Sequence, residues 1–155
     1  MSENTDQHWI SESLTEAKKV VQDVPVGSVV VLGGKIIGRG HNLREKSGDP
    51  TAHAEILAIR EAAAHLGTWR LTGANLYTTL EPCPMCAEAI IQSRVAKLVF
   101  GAYDGRSGAC GSAFNLFTSG RLYPLPEVLG GICEDECKQI LLDYFRQVRA
   151  NDEPA

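Results

Sequence analysis

The sequence predicts a three-layer α/β/α domain in which helices cover both faces of a mixed central sheet of about five strands. Two observations lead to this prediction. Segments rich in β-branched residues alternate along the chain with segments in which apolar residues recur at helical spacing. In addition, a Gly33-Gly34 pair separates two β-rich segments, which is typical of an antiparallel hairpin. Strands separated by helices favour parallel pairing later in the chain, so we expect a mixed sheet.

The first third of the chain is predicted to hold one helix and the hairpin. Apolar residues at helical spacing predict a helix over residues 7–23, and Pro25 ends it. Residues 26–32 and 35–41 are the two predicted strands of the hairpin. The polar residues 43–50 are predicted to form a loop.

The middle third alternates between helices and strands. Residues 51–66 have a helical apolar stripe that Gly67 ends, and residues 75–80 alternate like a strand. A second helix is predicted over residues 84–93, beginning on a proline whose missing N–H costs nothing in a first turn. Residues 97–103 are predicted to form the next strand.

The last third is less regular. Residues 104–112 are glycine-rich and are predicted to form a loop, followed by a short helix over residues 113–117. A last short strand is predicted over residues 128–132 and a final amphipathic helix over residues 134–149.

Length and composition limit the class of protein. The 155 residues are expected to form a single domain (residues 1–155), with an ordinary hydrophobic content of 44%. The polar start and the short apolar runs predict no signal peptide and no membrane association. Together with an odd number of cysteines, five, this predicts a cytoplasmic protein. The net charge of −4 argues against a broad phosphate-binding surface.

Two short segments carry the residues of a metal site. They are His53-Ala54-Glu55 and Glu81-Pro82-Cys83-Pro84-Met85-Cys86, and each lies where a strand or loop is predicted to lead into a helix. Zinc accepts imidazole and thiolate ligands, and Cys-x-x-Cys at a helix start brings two sulfurs within reach of one ion. The helix dipole there favours thiolate. We therefore predict that His53, Cys83 and Cys86 bind one Zn²⁺ and leave a fourth position open, as in catalytic sites.

Glu55 is predicted to be the catalytic acid and base. It lies two residues from His53, so it projects in a different direction and can approach a water on the metal without ligating the metal. Zinc lowers the pKa of a bound water to about 7, and a carboxylate can then move protons to a ring nitrogen and a leaving amine. His-x-Glu combined with Pro-Cys-x-x-Cys is the signature of zinc nucleobase deaminases, so we predict hydrolytic loss of ammonia.

Other interpretations of these residues stay open on the sequence alone. A lone Cys-x-x-Cys also occurs in thioredoxin-like redox proteins. A structural zinc site would recruit Cys110, Cys133 or Cys137 as a fourth ligand. Either interpretation gives Glu55 no role, which favours the deaminase. Cys133 and Cys137 lie four residues apart at the last helix and are interpreted as small buried residues.

From Val24 almost to the C-terminus, the chain resembles the bacterial tRNA-specific adenosine deaminases of the cytidine deaminase superfamily. The matching stretches are Val24-Pro25-Val26-Gly27, His41-Asn42, Asp49-Pro50-Thr51-Ala52-His53-Ala54-Glu55, Leu76-Tyr77-Thr78-Thr79-Leu80-Glu81-Pro82-Cys83, Met85-Cys86, Ser93-Arg94, Phe100-Gly101-Ala102 and Gly108-Ala109-Cys110-Gly111-Ser112. The zinc motifs are shared by the whole superfamily. The Phe-Gly-Ala and Gly-x-x-Gly-Ser stretches are closer to the tRNA enzymes than to guanine or cytosine deaminases.

The resemblance implies a cytidine deaminase-like fold, Zn²⁺ as the cofactor, and a pocket for one base. Asn42 would hydrogen-bond the flipped purine, since an amide can read a purine edge with a donor and an acceptor. Val26 and Leu80 would be apolar walls of that pocket. An alternative for Asn42 is that it only caps the turn into the following loop.

The resemblance also implies contacts outside the base pocket. The backbone N–H of Ala54 would help to bind the reacting centre. Asp104 would lie on the loop beside the nucleotides that flank the target. Phe145, with Tyr144 and Arg146, would lie next to the anticodon loop, although Phe145 also fits a core position.

The activity implied is deamination of adenosine to inosine at the wobble position of a tRNA anticodon loop, by a homodimer. The alternative enzyme is a deaminase of a free nucleobase or nucleoside, such as guanine, cytosine or adenine. A zinc-stabilised RNA-binding module without catalysis would give Glu55 no role. Two departures from the family bear on the substrate. Residues 123–125 read Tyr-Pro-Leu where the family often has Asn-His-Arg, and residues 151–155 are acidic where its tail is often basic.

Overall fold

The computed structural model describes residues 3–118 and 120–152. Its helices are α1 (Glu3–Ala17), α2 (Arg44–Ser47), α3 (Ala54–Leu66), α4 (Pro84–Gln92) and α5 (Glu134–Asp152). Its strands are β1 (Gly27–Leu32), β2 (Lys35–His41), β3 (Asn75–Leu80), β4 (Lys97–Ala102) and β5 (Glu127–Leu129). Across these described ranges the strands form a five-stranded sheet in the order β2-β1-β3-β4-β5.

The sheet is mixed, as predicted. Strand β1 is antiparallel to both of its neighbours, β2 and β3, whereas β3, β4 and β5 are parallel. The β1–β2 turn is made by Gly33 and Gly34, whose φ angles of 59° and 77° lie in the left-handed region that glycine adopts without strain. The hairpin prediction is therefore confirmed.

Alternate residues of each central strand pack against helices on opposite faces of the sheet. On one face, Val30, Leu76 and Leu98 pack in one cluster with residues of α3 and α4. On the other face, Val29, Val31, Tyr77 and Val99 pack in a second cluster with residues of α1 and α5. These two cores confirm the predicted three-layer α/β/α arrangement.

Helix α3 lies unusually close to strand β2, and this contact fixes its first turn. A Cβ atom on Gly40 would lie 2.2 Å from the carbonyl oxygen of Ala54, and one on Gly38 would lie 2.2 Å from that of Ala58. Any side chain at these two positions would push the helix away. The two glycines therefore let the backbone at the start of α3, where the metal motif lies, approach the sheet.

Two predicted helices differ at their ends. Helix α3 begins at Ala54 rather than at residue 51. Helix α1 ends at Ala17 rather than at residue 23, and Val21, which was expected on its core stripe, is 69% exposed. The chain turns there through backbone bonds from Lys19 and Val20 to carbonyls three residues earlier. The predicted loop 43–50 contains the single helical turn α2. None of the helices in the described ranges is long and apolar enough to span a membrane.

The segment between β4 and α5 differs most from its prediction. Residues 113–117 are not helical, because the backbone N–H groups of Ala113 and Phe114 both donate to the carbonyl of Gly108 at 2.9 Å. This folds the chain back into a tight loop instead of a helical turn. Strand β5 is shorter than predicted, and α5 continues to Asp152.

Candidate active site

The three predicted metal ligands meet where α3 and α4 begin. His53 and Cys83 are the N-cap residues of these helices, with extended backbone angles, and Cys86 lies fully buried in the first turn of α4. The Nδ1 atom of His53 lies 3.5 Å from the Sγ atom of Cys86 and 3.7 Å from that of Cys83. The two helix starts therefore bring the nitrogen of His53 together with the sulfurs of Cys83 and Cys86, which lie 30 and 33 positions further along the chain.

This cluster fits zinc in its ligand types and in its spacing. Tetrahedral zinc with bonds of about 2.0–2.3 Å separates a nitrogen and a sulfur ligand by about 3.6 Å. Of the His, Cys, Asp and Glu side chains that the structure describes, these three form the single metal-competent group identified. Cys110, Cys133 and Cys137 do not join it, so the alternative four-ligand structural site has no support. The chain thus has a three-ligand zinc site.

Hydrogen bonds among the three ligands shift their pKa values. A hydrogen bond from the Cys86 thiol, assisted by one from His53, lowers the pKa of Cys83 to about 4. The pKa of Cys86 is raised because it donates to Cys83 and is buried. The pKa of His53 is raised by its hydrogen bond to Cys83. Negative charge is therefore concentrated on the Cys83 sulfur at neutral pH.

Glu55 lies beside the cluster in the first turn of α3 and is only 4% exposed. Burial raises the pKa of its carboxyl group to about 7. A group with a pKa near the working pH can both accept and donate a proton, which is the requirement for general acid–base chemistry.

A cavity of about 810 Å³ opens in front of these residues. Its lining includes His53, Glu55 and Cys83, and also all six residues that the sequence analysis assigned to substrate: Val26, Asn42, Ala54, Leu80, Asp104 and Phe145. This volume is in the range of about 300–1,000 Å³ that is usual for small-molecule pockets. The structure thus brings the predicted chemical and substrate residues to one cavity.

Asn42 makes the structural contacts that were considered as its alternative role. Its Nδ2 donates to the carbonyl of Val24 at 3.0 Å, and its Oδ1 accepts from the backbone N–H of Arg44 at 3.0 Å. The side chain therefore stabilises the turn after β2. One N–H and one oxygen lone pair remain, so Asn42 still offers the cavity a donor and an acceptor.

Asp104 also organises its own loop. Its carboxylate accepts hydrogen bonds from the backbone N–H groups of Arg106 and Ser107 at 3.0 and 3.3 Å, and from the Ser107 hydroxyl at 3.1 Å. The residue lines the cavity at the end of β4, but its carboxylate is used mainly to shape the chain from residue 104 to 107.

Of the three residues predicted on the last helix, Phe145 faces the cavity. It is 43% exposed, so it is not a core residue. Tyr144 faces a separate cleft between α5 and the segment after α1. The Arg146 side chain is 72% exposed and lies 4.0 Å from Asp143. The helix thus presents one of these three side chains to the site.

Of the two departures from the family, residues 123–125 lie away from the cavity lining. Tyr123 lies under the guanidinium group of Arg94, 3.4 Å from it, and its hydroxyl contacts Arg121 beside α4. In the acidic tail, residues 153–155 lie outside the described residues.

Several lining residues were missed by the sequence analysis. Tyr103 directly follows β4, and residues at the carboxyl ends of adjacent parallel strands meet at one edge of a sheet. On α5, the lining residues recur at helical spacing, which marks one face of the helix: Lys138, Leu141, Leu142, Phe145, Val148 and Arg149. That stripe was the available signal for the three that were missed: Lys138, Leu142 and Val148. Arg44 had no comparable signal, and Glu81 stood in the motif segment but was given no role.

Comparison with known proteins agrees with this geometry. Residues 3–102 match the family described as the cytidine and deoxycytidylate deaminase zinc-binding region. The chain is 48% identical to a tRNA-specific adenosine deaminase of Bacillus subtilis strain 168, over 97% of this chain and 94% of that protein.

Solved structures show the same fold. One, from a study of A-to-I editing by tRNA deaminases at the wobble position of transfer RNA, is 43% identical, with a TM-score of 0.82 over 86% of this chain and 99% of that one. A guanine deaminase from Bacillus subtilis is 30% identical, with a TM-score of 0.61 over 75% of this chain and 86% of that one.

Proposed function

Since the chain belongs to the cytidine and deoxycytidylate deaminase family, and within it to the tRNA-specific adenosine deaminases, we propose that it converts adenosine to inosine at the wobble position of a tRNA anticodon loop. The observation that carries this proposal is the cavity that joins the zinc ligands, buried Glu55 and the predicted base contacts. Similarity over nearly the whole length of a tRNA-specific relative supports the choice of substrate.

The chemistry is hydrolytic: water adds to the base, ammonia leaves, and a carbonyl replaces the amine. Zinc held by His53, Cys83 and Cys86 would act as a Lewis acid that makes water nucleophilic near neutral pH. Glu55 accepts the two protons of the water in turn at its carboxylate, and gives one to the ring nitrogen and the other to the leaving amine. The backbone N–H of Ala54, in the first turn of α3, lies at the positive end of the helix dipole and stabilises developing negative charge.

The base is held by the inner part of the cavity. Val26 and Leu80 provide apolar walls, and Asn42 provides its remaining donor and acceptor. A base in a single-stranded loop costs little to turn out of its stack, which favours an anticodon loop over a duplex.

The outer part of the cavity suits the flanking nucleotides. Exposed Tyr103 and Phe145 offer aromatic faces on which bases can stack. Arg106, Lys138 and Arg149 also line the cavity and give a local positive charge to a chain whose net charge is −4. Binding is then expected to weaken with salt, with a shallow slope, because few phosphates are contacted.

The active form is proposed to be a homodimer. Large apolar side chains are exposed on and around α4: Met85 (37%), Phe114 (52%) and Leu122 (104%). Leu122 follows Arg121, whose guanidinium forms two hydrogen bonds with the carboxylate of Glu88 on α4. A second copy covering this face would bury these side chains. Light scattering that gives the mass of one chain at micromolar concentration would contradict this part of the proposal.

We also propose one domain (residues 1–155) and a cytoplasmic location. The two core clusters on the two faces of one sheet support the first. None of the five cysteines forms a disulfide, which supports the cytoplasmic location, because thiols stay reduced in that compartment. Cell fractionation followed by immunoblotting checks the location.

The substrate is tested with one enzyme preparation and four compounds: an anticodon stem-loop with adenosine at the wobble position, free guanine, free cytosine and adenosine. We expect inosine in the stem-loop and ammonia in equal amount. The similarity to guanine deaminase makes guanine the informative competitor. If guanine is turned over far faster than the stem-loop, the tRNA assignment is wrong, although the zinc deaminase assignment stands.

A further inference from the structure

One buried carboxylate holds the loop that forms a wall of the cavity. Glu81, 2% exposed, is followed by the Pro82-Cys83 metal motif. Its carboxylate accepts hydrogen bonds from the backbone N–H groups of Asp104 (3.0 Å), Cys110 (2.9 Å) and Ser112 (3.2 Å), and from the Ser112 hydroxyl. All the donors are uncharged, and they come from both ends of the segment 104–112.

The loop is built around this carboxylate. A Cβ atom on Gly108 would lie 2.4 Å from the Cδ atom of Glu81, so only glycine leaves room for the side chain. The neighbouring N–H of Ala109 donates to the carbonyl of Pro82 at 2.8 Å. The loop is thus attached to the chain just before Cys83, at the residues that lead into the metal site.

The loop needs such an anchor because its sequence supplies little stiffness of its own. It contains three glycines, at positions 105, 108 and 111, which leave the unfolded backbone many conformations. Its first four residues, 104–107, line the outer part of the cavity. The three bonds are partly buried, and a backbone donor left there without an acceptor would be costly, so the loop is expected to rearrange when Glu81 is changed.

We propose that Glu81 is a positioning residue for substrate: it fixes the loop 104–112 in the shape that receives the nucleotides flanking the target base. Glu81 therefore acts on substrate binding, whereas zinc binding and proton transfer belong to His53, Cys83, Cys86 and Glu55. The substrate part of this inference depends on the proposed tRNA function. The loop-anchoring part does not.

The test compares Glu81→Gln with the wild type. Glutamine has the same size as glutamate. In either orientation of its amide, the nitrogen faces at least one backbone N–H group that the carboxylate oxygen accepted from, so at least one hydrogen bond is lost. We expect KM for the anticodon stem-loop to rise about tenfold, the equivalent of about one net hydrogen bond, with kcat within about threefold and one zinc per chain. Faster hydrogen exchange is expected at the amides of Asp104, Cys110 and Ser112.

Asp6→Asn is the matched control. Asp6 is another carboxylate that is 2% exposed. It lies on α1 and accepts hydrogen bonds from Tyr77 and Lys97, away from the cavity. It is expected to lower thermal stability and leave KM unchanged, which separates loop anchoring from general destabilisation. Glu81→Asp is expected to recover part of the lost affinity, because it restores an acceptor on a shorter side chain.

Two results overturn the proposal: a fall in kcat at unchanged KM, or unchanged exchange at the three loop amides. The exchange measurement needs no substrate. If the wild type does not deaminate the stem-loop, the proposed function fails, and exchange still decides whether Glu81 anchors the loop.

Discussion

The two sides of the cavity are built differently. On the inner side, the first turns of α3 and α4 and the end of β3 hold Ala54, Glu55, Glu81 and Cys86, and none of these is more than 4% exposed. On the outer side, at the end of β4 and along one face of α5, Tyr103, Leu142 and Phe145 are 53%, 44% and 43% exposed.

This difference separates chemistry from recognition. Buried groups on the inner side are held by backbone and packing before substrate arrives, so they need no reorganisation during the reaction. Exposed side chains on the outer side gain their contacts only when nucleotides cover them. Changes to the metal ligands and to Glu55 should therefore affect zinc content, stability or kcat. Changes on the outer side, and at Glu81, which anchors the outer loop, should affect KM or salt dependence.

The largest effect is expected from Cys86→Ala. It removes a ligand that is fully buried, so the zinc content should fall from one per chain to near zero, as measured by elemental analysis. Zinc binding and folding are linked, so the melting temperature should fall by about 5 °C or more. Cys110→Ala, outside the ligand cluster, is the control that keeps its zinc. Stoichiometric zinc in Cys86→Ala would show that the ligand assignment is wrong.

The next effect separates catalysis from folding on the same inner side. Glu55→Gln keeps the shape of the side chain but removes the proton acceptor, so kcat should fall by about a hundredfold or more. Zinc content and melting temperature should stay close to those of the wild type. Glu61→Gln, on the exposed side of α3, is the control with normal kcat. If the Glu55 variant retains kcat within a few-fold, another group moves the proton.

On the outer side, Phe145→Ala should raise KM for the stem-loop by about tenfold, because stacking of one base on an aromatic ring contributes about 1–3 kcal/mol. The value of kcat should change little, as determined from steady-state kinetics. Tyr144→Ala, whose ring faces the other cleft and packs edge-on against Phe145 with ring centroids 5.2 Å apart, should raise KM much less. A Phe145 variant with normal KM would remove α5 from the substrate interface.

The smallest effect is expected from Arg149→Gln, which removes one cavity-lining charge. Binding of the stem-loop should weaken modestly at low salt, and the slope of log affinity against log salt should become shallower by about one, as measured by fluorescence anisotropy. Arg146→Gln removes the same charge from a side chain outside the lining and should keep the slope. Equal slopes for both variants would mean that position 149 contacts no phosphate.

Much of the fold and of the chemical centre could be predicted from the sequence, because the signals are local. The Gly33-Gly34 turn and the alternating apolar patterns identify the hairpin and the layers. The spacing within His53-Ala54-Glu55 and within Cys83 to Cys86 identifies the ligands, because helix starts fix the geometry of residues two or three positions apart. Helix ends and the segment 113–117 were less predictable, since bonds to distant carbonyls decide them.

Only the tertiary structure decided the rest. The family resemblance implies a base contact at Asn42, and the structure adds that both of its amide atoms also bind the backbone of nearby turns. Glu81 has no sequence signal for its role, because its donors lie 23 to 31 residues away along the chain. A sequence pattern records which residues share a helix face or a turn. The packing of the whole sheet and its helices determines that the loop 104–112 closes onto the buried carboxylate of Glu81.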